Sequence, residues 1–116
     1  DINGISKILG SALQAASIGG YYNIVELLLG HGANVNAQGG KYGTAQQAAS
    51  AEGRKETVDI LLRHHADSDA QAGEYGMALQ GASVFGNKNI AELLLEHGAD
   101  VNAQAGKYGT ALQAAS

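Results

Sequence analysis

The 116-residue chain contains no cysteine and no proline, and its aromatic content stops at five Tyr and one Phe. The missing thiols exclude disulfides and thiolate metal centres, and they fit a reducing, intracellular and cytoplasmic setting. Positive charge is scarce as well. Seven Lys and Arg against eleven Asp and Glu leave a formal charge of −4, which offers no basic footprint for nucleic acid. No apolar run approaches the roughly 20 residues of a membrane-spanning helix. There is neither an Asn-x-Ser/Thr acceptor nor a signal-peptide pattern.

Repetition takes the place of these features. The string Gly-x-Ala-x-Gln begins at Gly10, Gly43, Gly76 and Gly109, a constant spacing of 33 residues. A strict period of about 20–50 residues marks stacked supersecondary units, so residues 1–116 are expected to form a single array whose core grows with repeat number. The phase divides the chain into a remnant of a preceding tip over 1–9, full repeats over 10–42, 43–75 and 76–108, and a partial repeat over 109–116. A start at Asp1 without Met and a stop inside a repeat read as a slice of a longer protein.

Each unit holds two apolar segments separated by a glycine-containing turn. The first is Ala-rich, as in Ala12 to Ser17, and Ala is the best helix former. The second, Ile24-Val25-x-Leu27-Leu28-Leu29, recurs as Val58-x-Ile60-Leu61-Leu62 and Ile90-Ala91-x-Leu93-Leu94-Leu95. Its i, i+3, i+4 spacing predicts a helix with a wide apolar stripe, and Glu26, Asp59 and Glu92 mark its solvated side. Gly32 and Gly98 fall where a left-handed cap would end this helix. In the middle unit His65 takes that place, at a cost of roughly 1 kcal/mol or more, which predicts a weak joint. The Gly- and Asn-rich link over 35–43 is too short for a third helix and predicts an extended turn or hairpin.

The repeated Gly-x-Ala-Leu-Gln-Ala-Ala-Ser, the Leu-Leu-Leu run and Gly98-Ala-Asp-Val-Asn-Ala103 together strongly resemble the ankyrin repeat, almost without gaps over the chain. The resemblance implies an all-α fold, an ankyrin-repeat solenoid of stacked helix–turn–helix units with hairpin tips. The chain departs from the family pattern at several points. Ala12, Ala45, Ala78 and Ala111 replace the family's proline, and Gln14, Gln47, Gln80 and Gln113 replace its histidine. Losing a first-turn proline forfeits about 0.4–1 kcal/mol per site through the unfolded chain. Glutamine both donates and accepts, so Thr44–Gln47 and Thr110–Gln113 contacts are expected, whereas Met77 has no hydroxyl to offer. The tips carry Tyr42, Tyr75 and Tyr108 where the family commonly has Gly. This Tyr-Gly variant is similar to arrays in large fungal NLR-like multidomain proteins.

Candidate chemistry is thin. His31, His64 and His97 recur in register, but neighbouring helices stack about 8–10 Å apart while zinc–nitrogen bonds are about 2.0–2.1 Å, so one His per repeat cannot close on an ion. They read as surface residues compatible with a helix C-terminus. Gly39-Gly40-Lys41 lacks the rest of a phosphate loop. Ser17, Ser50, Ser83 and Ser116 repeat in phase, which indicates packing rather than a nucleophile. Leu94, Asp100 and Asn102 resemble the spacing at which ankyrin asparagines are hydroxylated in animals, while Asn102 also reads as a hydrogen-bonding hairpin residue. No catalytic, cofactor or metal site is expected.

The positions that vary between repeats carry the functional expectation. They are Ile18-Gly19, Ala51-Glu52 and Val84-Phe85 at the ends of the first helices, and Lys41, Glu74 and Lys107 at the tips. The resemblance places these on a concave face that commonly contacts partners. Tyr22, Lys41, Glu52, Glu74, Val84, Phe85 and Lys107 are therefore the candidate partner-binding residues. The Gln column is expected to bond tip to helix. The Tyr column is expected to pack beneath the tips with hydroxyls at water. The reading is a non-catalytic protein–protein interaction or scaffold module without nucleic acid or membrane. The alternative is an array stacking end to end, because Ile2, Ile5, Ile8 and Leu9 are expected to lie exposed near an uncapped end.

Overall fold

Small side chains let helices approach closely, and the Ala-rich strings form a layer of short helices while the Leu-rich strings form a second layer behind it. The computed structural model describes residues 2–67 and 77–97; the side chains of Ile2 and Asn3 are not included. Among the described residues there are six helices and no strand: α1 (Ile2–Gly19), α2 (Tyr22–Gly30), α3 (Ala45–Ala51), α4 (Lys55–Arg63), α5 (Ala78–Val84) and α6 (Lys88–Glu96). Each consecutive pair packs on itself. The inner helices α1, α3 and α5 neighbour one another in turn, and so do the outer helices α2, α4 and α6. The fold is the all-α stack of helical hairpins that the apolar pattern and the resemblance imply.

One apolar seam runs through the pairs. Leu13 and Val25 lead into Ala45, Ala49, Val58 and Leu61, and these into Ala78, Leu79, Ile90 and Leu94. All seven residues of α3 are buried, because α1, α5 and α4 surround it. Ser17 and Ser50 are fully buried, and the Ser83 hydroxyl donates to the Leu79 carbonyl at 2.8 Å. The serine column is thus part of the packing.

Capping explains where α3 and α5 begin. The Thr44 N–H donates to Gln47 Oε1 at 2.8 Å, and the Gln47 N–H donates to Thr44 Oγ1 at 3.2 Å. This reciprocal pair satisfies two of the helix's orphan donors. Gln80 repeats half of it, accepting the Met77 N–H at 3.0 Å. The outer helices end as their sequence predicts. Gly32 has φ +92°, and His65, at the same place one repeat later, has φ +67°. Among the described residues His65 is the only non-glycine with positive φ, so the backbone geometry expected at this joint is present.

The start of α1 departs from the repeat pattern. Residues 2–9, expected as a tip remnant, are helical and run straight into the first Ala-rich segment. The physical reason lies in composition. Where the next tip has Gly39, Gly40 and Tyr42, this stretch has Ser6, Lys7 and Leu9, which need no positive φ and tolerate a helix. Among the described residues no helix is long and apolar enough to cross a membrane.

Candidate functional site

The first tip is built by backbone turns and held by one inner-helix side chain. The Gly39 N–H donates to the Gly43 carbonyl at 2.8 Å, closing a short antiparallel bridge. Gln14, on α1, donates through Nε2 to the Gly43 carbonyl at 2.8 Å and the Ala37 carbonyl at 3.2 Å. Both arms of the tip are therefore tied to the helix, as expected for this column. Successive tips are linked as well. Asn36 receives the Asp67 N–H on Oδ1 at 2.8 Å, and its own N–H donates to Asn34 Oδ1 at 3.0 Å. Asn36 shares the repeat position of Asn102, which with Asp100 lies outside the described residues.

Tyr42 connects the tip to the far end of α3. Its ring is half-buried, and its hydroxyl donates to Glu52 Oε2. Tyr42 lies just ahead of the N-cap Thr44, and Glu52 is the C-cap residue, so this bond spans the whole helix. The hydroxyl that the sequence places at water is thereby given a carboxylate partner. Lys41 Nζ lies 5.8 Å from the Tyr42 ring centroid, within cation–π reach. Cation, aromatic ring and carboxylate thus form one cluster linked through Tyr42.

The neighbouring inner helix adds an apolar element. Phe85 is the C-cap residue of α5 and lies 33 positions after Glu52, on the adjacent helix. It is 49% exposed. Val84, just before it, is half-buried. Tyr22 is exposed but opens α2, in the outer layer. It does not join Lys41, Glu52 and Phe85. Glu74 and Lys107 lie outside the described residues. A cleft of about 750 Å³ continues beside the tip, between Gly39 and Gly40 on one side and Lys7, Ile8, Ala15 and Ile18 of α1 on the other.

Two residues that hold the face together escape sequence reasoning. Arg54 and Asn87 occupy the N-cap positions of α4 and α6 but make no side-chain bond to their own helices. Each reaches back one repeat. Arg54 Nε donates to the Ile18 carbonyl at 3.0 Å, and Asn87 Nδ2 donates to the carbonyls of Ser50 at 2.9 Å and Ala51 at 3.4 Å. These are orphan carbonyls at the ends of inner helices. Gly20 makes room for the first clamp: its φ is +74°, and a Cβ there would lie 2.8 Å from Arg54 Cδ. The recurrence of Tyr21, Arg54 and Asn87 at one repeat position is visible in the sequence, but the chemical dissimilarity of Arg54 and Asn87 hides the role those two share.

The histidines sit at helix ends. His31, His64 and His97 are exposed C-cap residues of α2, α4 and α6, and His97 Nδ1 lies 3.0 Å from the Leu93 carbonyl. Among the described residues no three His, Asp or Glu side chains are grouped so as to hold a metal ion. No curated protein matches the chain. The family model described as ankyrin repeats, in three copies, matches residues 12–105. That match covers most of the chain and coincides with the stacked hairpins, the capped inner helices and the tip just described; the chain belongs to the ankyrin-repeat family.

Proposed function

We propose that this chain is a non-catalytic recognition module that binds a protein partner across its tips and the C-terminal ends of its inner helices. Ankyrin repeats are generally protein–protein interaction modules. The observation that carries the reading here is the Lys41–Tyr42–Glu52 cluster beside Phe85. It combines an exposed apolar side chain with groups of both charges on a scaffold whose backbone is pinned by Gln14 and Thr44. A rigid surface of this kind loses little entropy on binding, and aromatic and charged residues at its centre are the common anchors of protein interfaces. Glu74 and Lys107 extend the same row by repeat position, while Tyr22 and Val84 are peripheral to it. The Tyr-Gly tips, similar to those of fungal NLR-like arrays, fit a scaffold within a multidomain protein.

Affinity capture from the source cells tests this. The wild-type chain is compared with a Lys41→Glu, Glu52→Lys, Phe85→Ala variant and with Glu26→Lys, a control on the exposed side of α2. A partner retained by the control and lost at least tenfold by the triple variant is the expected result. Equal recovery by both variants rejects the surface.

A further inference from the structure

Electrostatically, Glu52 sits at the unfavourable end of its helix. It is the C-cap residue of α3, and no basic residue occupies that helix's last turn. A helix C-terminus carries partial negative charge and favours cations, so this exposed carboxylate adds charge of the same sign. Among the described residues Glu52 makes no ion pair, and the partner it has, the Tyr42 hydroxyl, is neutral. Aromatic rings flank it along its row. Glu52 shares its repeat position with Gly19 and Phe85. Phe85, on the adjacent helix α5, is largely exposed. At Gly19 the Tyr21 ring takes the place of a side chain, since a Cβ there would overlap the ring's Cδ2 and Cε2 atoms. Lys41 already lies over the Tyr42 ring.

We infer that the Glu52 carboxylate, with Phe85 and Tyr21 on either side of its row, receives an arginine side chain of the protein partner. This rests on the recognition surface proposed above and adds the chemistry that the partner presents to it. Charge complementarity selects a cation, and the rings select its kind. A guanidinium forks onto a carboxylate through two parallel hydrogen bonds and stacks on aromatic faces, while its apolar stem packs along them. Neighbouring helices lie about 8–10 Å apart, a span that suits a long side chain lying from Glu52 to Phe85. A lysine ammonium brings a point charge without the fork or the flat face. The Tyr42 bond takes one of the roughly four lone-pair sites of the carboxylate and leaves the others to a guest. It also holds Glu52 in place beforehand, which lowers the entropy lost on binding.

An NMR titration of the whole isotope-labelled chain provides the test. The probe is the peptide acetyl-Gly-Gly-Arg-Gly-Gly-amide, compared with the same peptide carrying lysine or citrulline, the neutral isostere, in place of arginine. Saturable shifts at the amides of Glu52 and Phe85, with a millimolar dissociation constant, are expected for the arginine peptide. The lysine peptide is expected to bind at least about threefold more weakly, and the citrulline peptide not to saturate. Glu52→Gln is expected to weaken arginine binding about fivefold or more, and Phe85→Ala about threefold. Both positions are exposed, and circular dichroism with urea melts verifies that each variant folds. No saturable shift at these amides overturns the inference, as does equal binding of the lysine or citrulline peptide or an unchanged Glu52→Gln. Equal shifts at Glu26, an exposed carboxylate of α2, mean charge attraction without a site and overturn it too. A partner captured by the wild-type chain and lost by the Lys41, Glu52, Phe85 variant, with no arginine response, overturns this inference and leaves the recognition surface standing. Failure of that surface shows separately, as equal capture by both variants.

Discussion

Leu27 and Ile60 occupy the same place in consecutive repeats, as do Ile24 and Thr57, yet the first of each pair is largely exposed and the second is buried. The more polar residue, Thr57, is the better buried. Hydrophobicity alone therefore does not decide which side chains form the core of this stack; the neighbouring repeat does. The α3–α4 pair receives cover from both sides, and every residue of its inner helix is buried. The α1–α2 pair receives it from one side, and only Val25 of α2 is buried. Stability in such an array is a sum of repeat and interface terms. The middle pair has two interface terms and the first pair has one.

Substitutions can break this contrast in order of size. Leu61→Ala, at a position with no exposure, is expected to cost about 2–5 kcal/mol in urea unfolding, because it empties a site packed on both sides. His65→Gly is expected to stabilise by about 1 kcal/mol, relieving the left-handed backbone at φ +67°. The gain should appear as a higher denaturation midpoint with an unchanged slope. Gly81→Ala should raise stability by about 0.5–1 kcal/mol through helix propensity and reduced freedom of the unfolded chain, since the added methyl meets Ala51 at an ordinary contact distance. Leu27→Ala, on the open face, is expected to change stability by no more than about 0.5 kcal/mol in the monomer. A cost for Leu27→Ala matching that of Leu61→Ala would erase the distinction between the pairs.

Much of this was legible from the chain. The period sets the stack, and the Ala-rich strings locate α3 and α5 to within a residue. His65 in a glycine's place announces its backbone geometry, and Thr44 with Gln47 announces the cap. These features are local, and the residues concerned carry their own chemistry with them. The helix over residues 2–9 was not legible, because repeat phase indicates a tip and the few substitutions that favour a helix weigh little against a 33-residue pattern. The backward clamps from Arg54 and Asn87 and the Tyr42–Glu52 bond were also hidden. They depend on which side chains meet across a repeat or along a whole helix, and neither composition nor spacing encodes those meetings. At the candidate site, the sequence singled out Lys41, Glu52 and Phe85 by their variation but gave no reason for Tyr42 to join them.

Native-state hydrogen exchange reads the central claim most directly, since amide protection follows local opening free energy. If cover from neighbours sets stability, the amides of α3 and α4 exchange slowest, and those of α2 and of residues 2–9 in α1 exchange well ahead of them in dilute monomer. Equal protection in α2 and α4 would contradict the account.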